Sequence, residues 1–275
     1  MPELPEVETV VRDLRPHLVG RTITGATIRW QRTIATPSAR VFARQIRGCK
    51  ITAITRRAKY LIFHLRAGQQ TKFFLAHLRM TGGFRIDPHT APRDKHMHVC
   101  LWLDNSAELR FRDPRKFGRM WLVDDPTQVV GKLGPEPLEI STRTFHALFE
   151  KRRGNLKPVL LDQTFLAGLG NIYVDESLWY ARLHPLRRVE SLTREERARL
   201  YRAIQSVLTR AIAVGGTSID VMYTRVNGKS GEFVKSLRAF DQEDRPCRRC
   251  GTPIIKMVVA QRGTHLCPRC QRTLK

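Results

Sequence analysis

The sequence predicts an α+β protein. An antiparallel β-sandwich or barrel with a helix packed on it comes first, then a helical region, then a small four-cysteine metal module. Three observations carry this. Between residues 21 and 130, short apolar or alternating runs recur with turn signals between them. After a proline- and glycine-rich stretch at 125–140, the apolar period becomes helical. Toward the C-terminal end, Cys247-x2-Cys250 and Cys267-x2-Cys270 stand 16 residues apart, inside the range of a four-cysteine zinc site.

Residues 2–19 open with a helix. Pro5 suits its first turn, Val7, Val10, Val11 and Leu14 recur at helical spacing, and Gly20 stops it. Ile23, Ala26 and Ile28 mark a first strand, followed by a turn-rich stretch. Further strands are expected at Ile51–Ile54, Tyr60–Leu65, Lys72–Leu78, Phe84–Ile86, His98–Leu103, Glu108–Phe111 and Met120–Val123, separated by turns such as Thr81-Gly82-Gly83 and Asp104-Asn105. Beyond the linker, Leu156–Leu161 and Tyr173–Leu183 read as helices joined through Gly168-Leu169-Gly170-Asn171. Thr193-x-x-Glu196 is a capping box ahead of Leu200, Ile204, Val207, Leu208, Ala211 and Ile212, and Gly215-Gly216 stops that helix. Residues 217–240 are polar, a candidate mobile loop. Residues 245–275 carry eight Lys or Arg and no acid.

The chain has 275 residues, 49 Lys or Arg against 25 Asp or Glu, a net charge of +24 and a pI near 10.8. With 41% apolar residues it can bury real cores. A folded protein this basic repels itself, and a polyanion relieves the repulsion. Nucleic acid is the leading partner class, with an anionic membrane surface as the weaker rival. No apolar run reaches the roughly 18 residues of a membrane span. The start, Met1-Pro2-Glu3-Leu4-Pro5-Glu6, lacks the basic region of a signal peptide, so a cytosolic protein is expected. Clustered cysteines in a reducing compartment are metal ligands more often than disulfides, and thiolates at about 2.3 Å close a tetrahedron around zinc. Cys49 and Cys100 have no such partners and read as small buried hydrophobes.

Several clusters suit chemistry. Removal of Met1 would leave Pro2 as an N-terminal secondary amine. An α-amino group titrates at about 7.7–8, against about 10.4 for lysine, so part of it is neutral and nucleophilic near pH 7. Such an amine attacks an aldehydic carbon to form a Schiff base, and Glu3 and Glu6 supply two carboxylates for proton transfer. Helix initiation accounts for the same three residues. Arg56-Arg57-Ala58-Lys59-Tyr60 suits a phosphate contact or, equally, a solvated basic edge strand. His77-Leu78-Arg79-Met80-Thr81-Gly82-Gly83 and Asp113-Pro114-Arg115-Lys116-Phe117-Gly118 each set a bulky side chain beside a basic one on a turn. If the two turns meet, Met80, Arg115 and Phe117 can wedge into a base stack; otherwise Met and Phe are core. Gly168–Asn171 permits close backbone approach to a phosphate. A ribbon hairpin in the metal module would put Arg262 at its tip.

Together these motifs resemble one family, the formamidopyrimidine-DNA glycosylases, from Pro2-Glu3-Leu4-Pro5-Glu6-Val7-Glu8 through Leu133-Gly134-Pro135-Glu136-Pro137-Leu138 and Gly168-Leu169-Gly170-Asn171-Ile172-Tyr173 to the second CxxC pair. The resemblance implies an N-terminal β-sandwich with flanking helices as the catalytic domain (2–130). It implies a helix–two-turn–helix DNA-binding domain with a lesion-recognition loop near 217–235 (131–240), and a zinc finger (241–275). It implies a monomer that binds damaged double-stranded DNA in a basic cleft, excises 8-oxoguanine and formamidopyrimidines, and nicks the strand by β,δ-elimination. The catalytic residues would be Pro2 as nucleophile, Glu3 as acid/base, Lys59 in β-elimination and Arg262 in δ-elimination. DNA contacts would come from His96, Arg115, Arg152, Lys157 and Asn171, with Met80, Arg115 and Phe117 filling the hole left by the everted base. Glu6 would organise the N-terminus, and Cys247, Cys250, Cys267 and Cys270 would hold one structural Zn2+. The related endonuclease VIII family, acting on oxidised pyrimidines, typically begins Pro-Glu-Gly-Pro-Glu; Leu4 and Arg115-Lys116-Phe117 favour the purine enzyme. A non-catalytic zinc-finger DNA-binding protein is the remaining alternative.

Overall fold

The computed structural model describes residues 1–219, 223 and 225–273. They form two compact units, 1–132 with 215–231, and 133–214 with 232–275. Among the described residues no helix is long and apolar enough to cross a membrane.

The first unit is a sandwich. Helix α1 (Leu4–Leu18) is followed by β1 (Ile23–Ile28), β2 (Ile34–Thr36), α2 (Ala39–Ile46), β3 (Lys50–Arg57), β4 (Tyr60–Ala67) and β5 (Gln70–His77). Then come β6 (Gly83–Pro88), β7 (Met97–Leu103), β8 (Ala107–Arg112) and β9 (Arg119–Val123). One sheet runs β2-β9-β5-β4-β3, the other β1-β7-β8-β6. Inward-facing apolar residues alternate along the strands, and phenylalanines from both sheets interdigitate. Phe63 stacks on Phe74 at 4.8 Å and meets Phe84 edge-on at 5.9 Å, while Phe84 lies 5.2 Å from Phe111. Val7, Val10, Val11, Leu14 and Leu18 press α1 into the same core. Cys49 is buried in that core, Cys100 is buried on β7 outside it, and burial raises both thiols.

The stretch expected to be turn-rich holds α2 and β2. Ser38 caps α2, accepting from Val41 N, and Phe42 and Ile46 bury its one apolar side. Its buried pair is a single i, i+4 step, and eight residues are too few for the period to repeat. Strand β2 pairs in parallel with β9, through Ile34 with Met120 and Thr36 with Trp121. Such a long-range pairing leaves no local signal.

The second unit is helical: α3 (Thr127–Val130) precedes it, and α4 (Thr142–Leu148), α5 (Leu156–Leu161), α6 (Asn171–Ala181) and α7 (Arg194–Ala213) build it. The capping box at α7 forms, with Thr193 N donating to Glu196 Oε2 at 2.9 Å and Glu196 N to Thr193 Oγ1 at 3.2 Å. A hairpin, β10 (Ile255–Val259) and β11 (Arg262–Leu266), ends the unit.

Segment 215–231 differs from the expected mobile loop. Tyr223 is buried in the sandwich core with Val226 packed beside it, and Arg225 forks onto Asp13 of α1 at 2.6 and 3.0 Å. An aromatic anchor and a bidentate ion pair outweigh the segment's polar composition. Asp220, Val221, Met222 and Thr224 of the expected recognition loop lie outside the described residues.

Candidate active site

Pro2 is buried at the mouth of α1, with Glu3 as N-cap. The cap is a reciprocal box made by two acids: Glu3 N donates to Glu6 Oε2 at 2.8 Å. Both carboxylates therefore lie at the positive end of the helix dipole. Glu6 also reaches outward. Its Oε1 accepts from Thr217 N at 2.7 Å, and Tyr223 Oη donates to Glu6 O at 3.3 Å. Gly216 makes this possible: its φ is +79°, and a Cβ there would stand 2.7 Å from Glu6 Oε1. So Gly215-Gly216 does more than stop a helix; it seats the following turn on the Glu6 carboxylate.

Lys59 lies in the two-residue β3–β4 turn after Ala58, whose φ is +52°, and is only 5% exposed. Arg56 is almost as covered, its guanidinium paired with Glu8 of α1 at 3.1 Å. Glu8 also pairs with Arg12, and Arg15 Nε donates to Ile54 O, so α1 is pinned along β3. The solvated edge-strand alternative is thereby set aside. His77, opposite Tyr60 in the β4–β5 ladder, packs its ring edge-on at 4.7 Å. Its Nδ1 accepts from Arg79 N at 3.0 Å. Burial first, then the charges of Arg79 and Lys59, push His77 down to about 3, so it is neutral near pH 7.

The turn that carries Met80 and the one that carries Arg115 and Phe117 meet. Buried Asp113 accepts from Thr81 Oγ1 at 2.5 Å, from Arg115 N at 3.3 Å and from Gly118 N at 2.7 Å. Residues 114–117 stand exposed around it. Phe117 is 45% exposed, and the Arg115 guanidinium covers its ring at 4.8 Å. Met80 is half-buried on the neighbouring turn. His96 sits just before β7, with its backbone tied to Asp94 and Asp113, and it lines a cavity of about 450 Å³ together with Leu78, Gly82, Phe84, Arg112 and Tyr223.

In the second unit, Asn171 opens α6 and Lys157 lies on α5. Both donate to one acceptor, Gly263 O on β11, at 2.9 and 3.2 Å. Lys157 is fully buried and also donates to Asp175 Oδ1 at 2.6 Å, while Asp175 Oδ2 accepts from His265 N at 2.9 Å. Lys157 thus fastens the hairpin to α5 and α6. Arg152 is half exposed and pairs with Asp162 at 3.1 Å. The hairpin tip itself is Ala260-Gln261, both in the left-handed region (φ +49° and +59°); Arg262 follows as the exposed first residue of β11, one place past the expected tip. The four Sγ atoms of Cys247, Cys250, Cys267 and Cys270 lie within 4.8 Å of one another, with the two nearest pairs at 3.4 Å. A tetrahedron of thiolates at about 2.3 Å from zinc needs sulfurs about 3.8 Å apart, so the donor set fits such an ion.

Residues 1–120 match the formamidopyrimidine-DNA glycosylase N-terminal domain, residues 133–223 the H2TH domain of the same enzymes, and residues 245–273 the zinc finger found in FPG and IleRS. The chain is 46% identical over 276 residues to formamidopyrimidine-DNA glycosylase of Herpetosiphon aurantiacus, covering 98% of this chain and 100% of that one. It is 42% identical over 278 residues to the enzyme of Protochlamydia amoebophila, covering 99% and 100%. The chain belongs to the formamidopyrimidine-DNA glycosylase family.

Solved members of this glycosylase family share the fold. A Lactococcus lactis Fpg mutant in complex with Fapy-dG-containing DNA superposes with a TM-score of 0.91 at 37% identity, covering 99% and 100% of the two chains. MutM from Thermus thermophilus gives 0.87 at 40% identity, covering 98% of each. Within this glycosylase, sequence reading held Asp113 only as the start of its motif and missed what it joins, and it missed Asp175 and the Asp13–Arg225 pair. A lone acid in a basic chain carries no signal of its own. Only a buried acid facing several donors reveals its part.

Proposed function

We propose that this protein is a bifunctional DNA glycosylase and lyase. It removes oxidised purines, 8-oxoguanine and formamidopyrimidines, from double-stranded DNA as a monomer. The observation that carries the reading is a buried Pro2 directly before the capping pair Glu3 and Glu6, in the same unit as buried Lys59. Once Met1 is removed, the Pro2 nitrogen attacks C1′. The C1′–base bond breaks, its electron pair leaves with the base, and the base takes up a proton. Glu3 assists sugar-ring opening and later proton transfers. Loss of a C2′ proton from the resulting imine expels the 3′ phosphate, with Lys59 serving the proton transfer; a second elimination, assisted by Arg262, expels the 5′ phosphate. Arg115, Phe117 and Met80 fill the vacated stack, and His96, Arg152 and Asn171 contact the backbone. Lys157 acts through the hairpin it holds. Base eversion by glycosylases is a general device of the class. One zinc ion on the four cysteines supplies structural closure of the finger and no step of the reaction. The relatives are bacterial, and a cytoplasmic location on the chromosome is part of the same reading.

Borohydride trapping on a duplex with a single 8-oxoguanine tests it. Met1-processed protein is expected to give a covalent adduct mapping to Pro2, and Pro2→Gly to lose it. An equal yield from Pro2→Gly sinks the proline mechanism. Faster cutting of a thymine glycol duplex than of the 8-oxoguanine duplex would move the substrate to oxidised pyrimidines.

A further inference from the structure

The loop 113–118 presents two faces. Arg115 and Phe117 stack together on one. Lys116 stands between them in sequence, turned into the left-handed region at φ +60°, with its N–H held by Asp113 O at 3.1 Å. Its ammonium lies 4.4 Å from the centroid of the Trp30 indole. Arg32 covers the same ring at 5.8 Å. The indole Nε1 is buried without a hydrogen-bond partner, so no polar contact of that group fixes the ring; packing and the two cations do.

Trp30 is far from this loop in sequence. The chain places it there through β2, which follows the short turn Gln31–Thr33 and pairs in parallel with β9. Strand β9 begins at Arg119, directly after the loop. The parallel pairing therefore fixes an aromatic surface beside the root of the loop. An exposed lysine elsewhere would be free to sample many rotamers. Here the indole face holds it, and with it the backbone whose neighbours are Arg115 and Phe117.

We propose that Trp30 is a positioning residue for the wedge: a platform that clamps Lys116 and so pre-organises Arg115 and Phe117 for insertion into the base stack. The inference rests on the wedge reading above. Pre-organisation of this kind acts on the bound complex and its assembly rather than on bond making.

The test uses full-length, Met1-processed protein and a single-lesion duplex carrying 2-aminopurine opposite the lesion, whose fluorescence reports stacking at the vacated position. Trp30→Ala and Lys116→Met are each expected to weaken the insertion signal and to raise KM about threefold to fivefold, the size of an exposed cation–π contact, with little change in kcat. The double variant is expected to cost no more than either single one, and Trp30→Phe to stay within about twofold of the parent. Additive losses would mean that Lys116 meets DNA on its own account and would overturn the platform. So would a Trp30→Ala protein indistinguishable from the parent. Lys116 is exposed, so Lys116→Met serves even if Trp30→Ala folds poorly. Phe117→Ala separates the two levels. If it abolishes the signal while Trp30→Ala leaves it unchanged, the platform alone fails; if it leaves the signal unchanged, the wedge reading fails and the platform with it.

Discussion

Glu6 accepts from two backbone N–H groups, one on its own helix and one on the 216–217 turn. Hydrogen bonds to an ionised group contribute about 1.5–3 kcal/mol each, which makes this carboxylate a joint between the 216–217 turn and the cap of α1. Gly216→Ala places a Cβ against Glu6 Oε1 and forces alanine to a positive φ. It is expected to cost at least about 2 kcal/mol in urea unfolding and to depress 8-oxoguanine excision further than stability alone explains. The Pro-Glu start and Gly215-Gly216 were both visible in the sequence. Their contact was not, because more than two hundred positions separate them. His77 gives a pH signature. Its folded value of about 3 lies below the unfolded value of about 6.5. Above about pH 6.5 both states are neutral and its contribution is fully present. Between about 6.5 and 3 the unfolded chain binds a proton that the fold refuses, so stability falls by up to about 1.4 kcal/mol per pH unit. His77→Gln should flatten that part of the stability-pH curve; an unchanged slope would show that other groups produce it.

Elements were legible where their signals are local. Helix α7 carries its capping box, strands β3 to β9 carry short apolar runs bounded by turns, and the four-cysteine module carries its spacing. Helix α2 and strand β2 escaped notice because one is short and the other is defined by a partner about 85 residues away. The finger hairpin shows how an element is positioned by groups outside it. Gly263 O gathers Lys157 and Asn171, and Asp175 bridges Lys157 to His265 N. Chelating the metal proposed on the four cysteines, or Cys250→Ser, is expected to remove DNA binding while leaving most of the sandwich's thermal transition in place, since metal binding folds the finger and the sandwich has its own core. Calorimetry beside a gel-shift titration would read both. Unchanged DNA affinity in zinc-free protein would contradict it.

For the whole molecule, the net charge of +24 exceeds what a few phosphate contacts use. Arg56, Arg93, Arg110, Lys157 and Arg225 are committed to internal carboxylates, and because net charge already counts both partners of such pairs, the surplus of 24 is carried by the other basic residues. The exposed remainder suits non-specific attraction to DNA. Affinity for undamaged duplex is expected to fall steeply and linearly on a plot of log K against log salt, with each phosphate neutralised adding about 0.9 to the slope. The steepness should shrink by about one when Arg262, exposed on the hairpin, is replaced by Ala. A slope near zero would remove the polyanion reading.

The sequence by itself determined the class of fold, the polyanion partner, the metal module and the residues able to do chemistry, because charge, spacing and periodicity are properties of neighbours along the chain. Only the tertiary structure decided that Lys59 and Lys157 are buried, that Asp113 joins the 79–82 turn to its own loop, that Tyr223 and Arg225 moor their segment to α1, and that Trp30 faces Lys116. Each of these depends on burial or on contact between residues far apart in sequence. Such contacts form only when the sheets close over a common core.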